Sequence, residues 1–394
     1  MSGRAVALVG GATTKFGVRA STWSELAQEV GAALFRAVPE LEAKEVDSLF
    51  VGAAMPERFA FQSHVAPLVA EQMGIRPTRV LQRTELACAS GQSAIRSAYA
   101  AIAAGLSDVA VAVGVEKMNL PSMAEANAAM ACVLDRAWDG PAGLTAPPYF
   151  AMVAQRHMLE FGTTEEQLAA VSEKNHRFAN SNPNAHFYEK TYPRDKLLRL
   201  PLVSPPLRLG DCAAMTDGAA AVVLVSEELA HRYPGPKAWI RGSGQYSDFH
   251  NLANAGSLTE WPGMKRAATE ALEMARIGVR DLDFAELHDC FSISEIVEYE
   301  ALGLCGRGEG GRFAADGRGD IGGDVVVNPR GGLLGCGHPL GATGIAQAVE
   351  VYEQFAGKVP SARQVPSPEW ALVHNLSGSA NVHSVMVYHR GRAA

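Results

Sequence analysis

Hydrophobic and polar positions follow two periods along the first 116 residues. Short apolar runs bounded by turn residues predict strands, and apolar residues recurring every three or four positions predict amphipathic helices. The predicted strands are 6–9, 49–51, 80–81 and 108–113, and the predicted helices are 23–35, 63–72 and 91–104. Because the run at 109–113 is fully apolar, it suits a sheet covered on both faces. The pattern therefore predicts an α/β fold.

Residues 119–205 have a different character, with methionines, prolines and polar turns in place of the alternation. One helix is predicted to begin at Thr163 or Thr164, since a threonine followed by Gln167 and acidic residues is typical of an N-cap. We interpret this block as an excursion from the sheet that supplies the walls of a site.

Alternation returns with a strand at 222–225 and continues to the end of the chain. Further strands are predicted at 238–242, 284–287, 370–375 and 382–388, and helices at 264–275, 292–301 and 343–355. Both halves show a similar order of strands and helices, which indicates a duplication of pattern without sequence identity. The predicted units are a first half (1–118 and 206–235), an inserted loop domain (119–205) and a second half (236–394).

Composition narrows the class of protein. The 394 residues are 47% hydrophobic, which is enough for a large core, and the net charge of −7 argues against nucleic acid or an anionic membrane as the main partner. No apolar run is long enough to span a bilayer, and the first one is too short for a signal peptide. Six scattered cysteines do not form a disulfide framework, so we expect a reducing, cytoplasmic compartment.

Cys88 lies between a predicted strand and an alanine-rich predicted helix. Unpaired backbone N–H groups and the positive end of the helix dipole favour the thiolate, which is the nucleophilic form. The alternative is a small buried core residue, since free cysteines are commonly buried.

Two later clusters bear on this choice. The segment from Glu286 to Phe291 reads Glu-Leu-His-Asp-Cys-Phe and lies at the end of a predicted strand. The segment from Gly335 to Gly344 is a glycine-rich turn that opens a predicted helix. A cysteine nucleophile needs a base, for which His338 or His288 is suited, and fixed donors for an oxyanion. Cys290 can move a proton to and from carbon if its pKa is tuned.

A zinc site and a dinucleotide-binding loop are alternative interpretations of some motifs, and the sequence supports neither. His288, Cys290, Cys336 and His338 make a Cys₂His₂ set, but their one-residue gaps differ from the spacing of closed zinc sites, so we predict no metal. The GxGxxG match at 306–311 follows no strand and opens no helix, which favours a flexible loop over a dinucleotide site. The remaining histidines are interpreted as surface or hydrogen-bonded core residues: His64, His157, His176, His186, His231, His250, His374, His383 and His389.

Three blocks resemble the thiolase superfamily, and within it the sterol-carrier-protein type. They are Cys88-Ala89-Ser90-Gly91, His288-Asp289-Cys290-Phe291 and the segment from Gly337 to Gly344. Third-type ketoacyl synthases have asparagine in place of His288 and lack a cysteine like Cys290. Better-known thiolases have Asn-Glu-Ala-Phe in that block and a late second cysteine, so Cys290 favours the sterol-carrier-like branch.

The resemblance implies the fold and the chemistry. The fold would be two duplicated βαβαβαββ halves forming a layered α-β-α-β-α core, with an inserted loop domain. Cys88 would accept the acyl group of a 3-ketoacyl-CoA, and His338 would activate it. His338 and His288 would hold the enolate oxygen, Cys290 would protonate the enolate, and the backbone N–H groups of Cys88 and Gly378 would form a second oxyanion hole.

The expected activity is therefore that of an acyl-CoA C-acyltransferase. Coenzyme A and acyl-CoA would be substrates, with no tightly bound cofactor, and the resemblance implies a homodimer or homotetramer. One alternative is a retro-aldolase acting on a CoA-thioester side chain with a small partner protein, although such enzymes tend to lose the cysteine nucleophile. The other alternative is a non-catalytic acyl-CoA-binding subunit.

Overall fold

The computed structural model describes residues 3–391, and ten of its strands form one mixed sheet. The order across the sheet is β10-β9-β11-β12-β8-β1-β7-β4-β2-β3, while β5 and β6 pair separately. The strands are β1 Val6–Thr13, β2 Ser48–Gly52, β3 Val80–Thr84, β4 Val109–Glu116, β5 Leu202–Ser204, β6 Leu207–Arg208, β7 Gly218–Ser226, β8 Ala238–Ser247, β9 Phe284–Glu286, β10 Val326–Val327, β11 Trp370–Ser377 and β12 Val382–His389.

Thirteen α-helices are found among the described residues. They are α1 Trp23–Ala37, α2 Pro56–Phe59, α3 Val65–Gln72, α4 Ser90–Ala103, α5 Met123–Met130, α6 Ala146–Phe161, α7 Glu165–Asn180, α8 Arg194–Leu197, α9 Pro262–Ala275, α10 Ser292–Leu302, α11 Gly310–Ala315, α12 Gly332–Cys336 and α13 Leu340–Ala356. None of these helices has the length and apolar character needed to cross a membrane.

The two halves of the large sheet have the same topology. Numbered within its own half, each set of five strands is arranged 3-2-4-5-1, and the halves meet where β1 pairs with β8. In the first half α4 follows the third strand, and in the second half α12 and α13 follow it. The predicted duplication is therefore confirmed at the level of topology.

Three apolar cores separate five layers. The central core joins α4 and α13 to the inner faces of both half-sheets, and it includes Ile95, Ile345 and Met386. An outer core packs α1 and α3 on the first half-sheet. The other outer core packs α6, α7, α9 and α10 on the second half-sheet. The predicted α-β-α-β-α layering is thus present, with α13 almost entirely buried and α4 buried along most of its length.

The inserted block at 119–205 differs most from the sequence prediction. The structure adds α5, α6, α8 and β5 to a block where only α7 was predicted, and α7 begins after an N-cap at Thr164, as expected. The flexible loop predicted at 306–311 is wrong in its second part, because Gly310 and Gly311 open α11. The domain bounds stay a prediction, and their extreme ends at 1–2 and 392–394 lie outside the described residues.

Candidate active site

Cys88 lies at a sharp connection between β3 and α4. It is the middle residue of a 3₁₀ turn, Ala87–Ala89, and Ala87 has a left-handed backbone with a φ of +44°. Ser90 holds this turn, because its hydroxyl donates to the Ala87 carbonyl at 2.7 Å and accepts from the Leu86 N–H at 2.9 Å. The turn aims the sulfur away from the sheet, toward the second half of the chain.

The Cys88 sulfur is surrounded by backbone N–H groups rather than by a cation. Burial raises the pKa of Cys88 to about 12, although hydrogen bonds from the backbone N–H groups of Gly378 and Cys88 itself oppose this. The negative charges of Glu116 and Glu85 raise it further. The expectation of a lowered pKa is therefore wrong for the resting protein, because desolvation outweighs the helix dipole. Both predicted oxyanion donors, Cys88 and Gly378, do lie beside this sulfur.

His338 lies immediately before α13 and is held through one ring nitrogen. Its Nδ1 is 2.7 Å from the Thr343 hydroxyl, which itself donates to the Pro339 carbonyl at 3.0 Å. Nδ1 must then carry the hydrogen, which leaves the lone pair on Nε2. Burial lowers the pKa of His338 to about 3, so the imidazole is neutral near pH 7. Its Nε2 has no partner among the described residues.

The structure brings Cys88, His288 and His338 together. One ligand atom from each lies within 4.8 Å of the other two, and the imidazole rings meet edge to face with centroids 4.9 Å apart. Neither ring nitrogen of His288 has a hydrogen-bond partner among the described residues, and its side chain is fully buried. Three unpartnered imidazole nitrogens around one thiol are expected to bind a polar atom of a substrate, since buried polar groups are otherwise paired.

Cys290 joins this group, whereas Cys336 does not. The Cys290 sulfur lies 3.6 Å from the Ser294 hydroxyl, and the pKa of Cys290 is raised well above normal by burial and then by the charge of Cys88. The Cys336 sulfur contacts the Arg330 carbonyl oxygen at 3.1 Å and is fully buried. Cys336 therefore lies outside the cluster of Cys88, His288 and His338.

Asp289 fixes the loop that carries His288 and Cys290. Its carboxyl accepts from the Leu333 N–H at 2.7 Å, the Leu334 N–H at 3.1 Å and the Asn175 side chain at 2.7 Å. These bonds tie the loop to α12 and to α7. Burial, followed by the charge of Glu295, raises the pKa of Asp289 to about 7.

Glu116 plays a similar part on the other side. It is fully buried at the end of β4 and accepts from the N–H groups of Ala54 at 2.7 Å, Met55 at 3.3 Å and Gly341 at 3.0 Å. The last of these lies in the first turn of α13, so one carboxyl joins the two halves beneath Cys88 and His338. Burial raises the pKa of Glu116 to about 7.

Sequence reasoning missed several of these supporting residues. Thr343 stands inside the glycine-rich block, and a hydroxyl five positions after a histidine at a helix start is a usable signal for a tautomer lock. Glu116 is a second supporting residue that sequence reasoning missed. Nothing local in the sequence points to its three backbone donors, because two lie about 60 positions earlier and one lies 225 later.

Comparison with known proteins agrees with this arrangement. Residues 6–195 match the thiolase N-terminal domain family, and residues 244–390 match the thiolase C-terminal domain-like family. Acetyl-CoA acetyltransferase of Methanothermobacter thermautotrophicus is 39% identical over 388 residues, which cover 98% of this chain and 100% of that protein. Sterol carrier protein 2 of Bos taurus is 35% identical over 316 residues, covering 77% of this chain and 58% of that protein.

A solved structure with a similar fold carries a different activity in its description. It is described as the Ltp2-ChsH2(DUF35) aldolase, and it aligns with a TM-score of 0.85 and 27% identity. The alignment covers 100% of this chain and 99% of the aldolase chain.

Proposed function

The chain belongs to the thiolase superfamily, and on that premise we propose that it is an acyl-CoA C-acyltransferase that cleaves or forms 3-ketoacyl-CoA. The observation that carries the proposal is the meeting of the Cys88 thiol with His338 and His288 in one buried group, with Cys290 near enough for the charge of Cys88 to raise its pKa. A thiol with a neutral imidazole base and a second thiol nearby has the parts needed for both half-reactions of acyl transfer.

In the first half-reaction Cys88 becomes acylated. The Cys88 proton passes to His338 Nε2 as the sulfur attacks the 3-keto carbon, and the N–H groups of Cys88 and Gly378 stabilise the resulting oxyanion. The bond between C2 and C3 then breaks and leaves the acyl group on Cys88. The electron pair of that bond forms the acetyl-CoA enolate, whose oxygen faces His288 and the protonated His338, and Cys290 donates its proton to C2.

In the second half-reaction coenzyme A accepts the acyl group. Its thiol gives a proton to the Cys290 thiolate and attacks the thioester carbonyl in the same oxyanion hole. Cys88 leaves as a thiolate and recovers its proton from His338, so the protein returns to its starting state. Since both resting thiols have raised pKa values, each proton moves only when its acceptor is in place, which limits side reactions of a free thiolate.

A labelled-CoA exchange assay tests this proposal. Wild-type protein is expected to exchange labelled coenzyme A into acetyl-CoA, and Cys88→Ala is expected to lose the exchange by about 10⁴-fold or more, as removal of an enzyme nucleophile does. Cys305→Ala is the matched control, because Cys305 lies just after α10 and outside the cluster. Wild-type rates in the Cys88→Ala protein would refute the acyl-enzyme route.

The second candidate is a retro-aldolase, which the 27% identical aldolase structure favours. Such an enzyme would cleave a 3-hydroxyacyl-CoA without an acyl-enzyme, and Cys88 would be dispensable. Cleavage that persists in Cys88→Ala would support this candidate, together with the absence of exchange in the wild type. Tight binding of CoA esters without any acyl-enzyme detectable by mass spectrometry would instead support the binding subunit.

A zinc ion is not part of the proposed reaction. The three atoms of Cys88, His288 and His338 that could hold zinc are the same atoms that the acyl transfer uses for protons and for the oxyanion. We therefore expect metal analysis to find no stoichiometric zinc and chelators to leave the activity unchanged. Added zinc should inhibit, since it would occupy the base.

The proposed partners follow the same lines. We propose a homodimer or a tetramer built from dimers, and no nucleic acid. An accessory protein remains part of the aldolase candidate, because the aldolase structure is described with a DUF35 partner.

A further inference from the structure

Two histidines outside the proposed reaction form a buried chain that leads back to the active site. His374 on β11, His383 on β12 and Glu298 on α10 are all fully buried. His383 Nε2 lies 2.9 Å from the Ala380 carbonyl oxygen, and His383 Nδ1 lies 3.1 Å from His374 Nε2. His374 Nδ1 lies 3.4 Å from Glu298 Oε1, and Glu298 Oε2 accepts from the His288 N–H at 3.0 Å.

The positions of the hydrogen atoms on His383 and His374 follow from which of the contacting atoms can donate. A carbonyl oxygen only accepts, so His383 Nε2 carries a hydrogen, and the neutral ring then has its lone pair on Nδ1. His374 must donate to that lone pair from Nε2, which leaves its own lone pair on Nδ1, facing Glu298. Burial lowers the pKa of His383 to about 4 and that of His374 well below normal, so both rings are neutral at pH 7.

The remaining contact determines the state of Glu298. An ionised carboxylate would set its lone pairs against the lone pair of His374 Nδ1 in a site without water-exposed surface. His374 Nδ1 and Glu298 Oε1 have no other partner among the described residues, although they lie 3.4 Å apart. A hydrogen on Oε1 would let a carboxylic acid donate across this contact, while Oε2 still accepts from His288. The pKa of Glu298 is raised well above normal by burial, and the nearby acidic groups Asp289 and Glu295 raise it further.

The strand pairing explains why the series of contacts from His383 through His374 to Glu298 matters for the site. β9 pairs with β11 only as far as Glu286, opposite Val373, so the backbone of His288 lies beyond the last paired residue. β11 continues to Ser377 and pairs there only with β12. Past Glu286, one route from the His288 backbone to the turn after β11 runs through Glu298, His374 and His383. A second route joins the Leu287 carbonyl through Gln347 to Asn375 on β11, but it stops before that turn.

We propose that Glu298 is a positioning residue that acts as a neutral carboxylic acid. Through His374 and His383 it sets the spacing between the His288–Cys290 loop and the Gly378–Ala380 turn. The chain thereby aligns the donors that face the thioester oxygen with those that face the acyl carbonyl. This inference rests on the proposed acyl transfer for its kinetic consequence, but the protonation of Glu298 stands independently of that function.

Substitution by glutamine separates a neutral acid from a charge. In Glu298→Gln the amide NH₂ can donate to His374 Nδ1 while its oxygen accepts from His288, so kcat is expected to stay within about threefold of wild type. Glu298→Ala leaves both partners unpaired, and kcat is expected to fall about tenfold to hundredfold with little change in KM, since catalytic geometry is sensitive to small displacements. Glu300→Gln on the same helix is the matched control, because Glu300 bonds to the Gly310 N–H instead.

Infrared spectroscopy provides a readout that needs no activity. The spectrum of wild-type protein minus that of Glu298→Gln at pH 7 is expected to show the C=O stretch of a protonated carboxyl group. A carboxylate band in its place would overturn the proposal, as would a Glu298→Gln protein that is as impaired as Glu298→Ala. If the wild type has no transferase activity, the proposed function fails, while the infrared band still decides the state of Glu298.

Discussion

The protonation of Cys88 shows how burial changes the chemistry of a single residue. A thiol with a pKa of about 12 and an imidazole with a pKa of about 3 are both neutral at pH 7, so no ion pair exists before substrate binds. In the proposed reaction the proton would move only when the sulfur attacks, and the proposed oxyanion donors would then stabilise the charge that develops. This behaviour differs from that of thiol enzymes whose cysteine is already a thiolate beside a cationic histidine.

Alkylation by iodoacetamide tests the state of Cys88. Because the pKa of Cys88 is raised, the thiolate fraction grows about tenfold per pH unit, and the alkylation rate should keep rising from pH 7 to pH 10 without a plateau. Peptide mass spectrometry would follow Cys88 separately from the exposed Cys132, which serves as an internal reference. A plateau for Cys88 below pH 8 would contradict the neutral resting thiol.

Thr343 is predicted to act through the tautomer of His338. Thr343→Val removes the acceptor of the Nδ1 hydrogen, so the lone pair is no longer held on Nε2. We expect kcat to fall about tenfold to hundredfold, which is less than the loss of the whole base, usually ~10²–10⁴-fold. Thr343→Ser keeps the hydroxyl and should retain most of the activity, and equal losses in both variants would count against the tautomer lock.

The chemical residues were predictable at this scale, but their supports were not. Short motifs contain the candidate catalytic residues, and the residue types in those motifs indicate their chemistry: Cys88, His288, Cys290 and His338. The sequence alone gives no functional signal for Glu298, His374 and His383, because the contacts that connect them join residues on different elements. The pKa of Cys88 was mispredicted because the sequence indicates a helix start but not the depth at which it is buried.

At the scale of elements, α4 and α13 approach each other more closely than ordinary helices do. A Cβ on Gly91 would meet the backbone of Gly341 and Gly344, and a Cβ on Gly114 would collide with the Gly341 carbonyl oxygen. Because these glycines have no side chains, the first turns of α4 and α13 can lie side by side under the site. Cys88 and His338 can therefore come within reach of each other although they lie on different halves.

Gly114→Ala, on β4, is expected to push the first turn of α13 away from the sheet. The added methyl group would displace the first turn of α13 and lower the free energy of unfolding by about 1–3 kcal/mol, as overpacking does in tight cores. Activity should fall as well, because His338 immediately precedes this turn. Gly256→Ala is the control, since a Cβ there meets nothing within 4 Å; thermal unfolding and exchange assays on both proteins would test the prediction.

Long apolar strands and long amphipathic helices were predicted well, whereas several short elements and α6 were not. The strand predicted at 108–113 is β4, Val109–Glu116, and the helix predicted at 343–355 is α13, Leu340–Ala356. α6 was missed because Pro147 and Pro148 at its start read as a break, although proline is favourable in the first helical turn. The 3₁₀ turn at Cys88 has no periodicity to detect.

At the scale of the whole molecule, buried titratable groups determine how stability depends on pH. The folded pKa values of His176, His338 and His383 lie at about 4, 3 and 4, below their unfolded values near 6.5. The unfolded state therefore binds more protons below pH 6.5, and these groups destabilise the fold as pH falls. Glu116 and Asp289, with pKa values raised to about 7, act in the opposite sense between about pH 4.5 and 7.

The two sets offset each other above about pH 4.5, and below it only the histidines act. We expect the free energy of unfolding to vary little from pH 5 to 7. Below about pH 4.5 each histidine lowers it by up to about 1.4 kcal/mol per pH unit until its folded pKa is reached, near pH 4 for His176 and His383 and near pH 3 for His338. His176→Leu should therefore raise the stability between about pH 6.5 and 4 relative to wild type, whereas the exposed His231→Gln should not. A melting temperature that falls equally steeply in both variants would argue against the histidine origin.

The edge of the large sheet predicts how two copies associate. β3 pairs only with β2, and its Leu81 is 41% exposed, so the strand presents open backbone groups and an apolar side chain. We expect a homodimer in which β3 pairs with its symmetric copy. Light scattering should find that Leu81→Lys shifts the protein toward monomer. Leu106→Lys is the control and should leave the oligomeric state unchanged, because Leu106 is 61% exposed and lies outside β3. A monomeric wild type would refute this prediction.

The repeated topology has a consequence for the ancestry of the site. Cys88 and His338 occupy equivalent helix starts in the two halves. A single half associated with its own copy would place the same side chain at both starts, and could not supply a nucleophile and a different base together. Each start can mutate alone only when its half has its own coding sequence, so the proposed division of labour between nucleophile and base requires that the coding sequence was duplicated first.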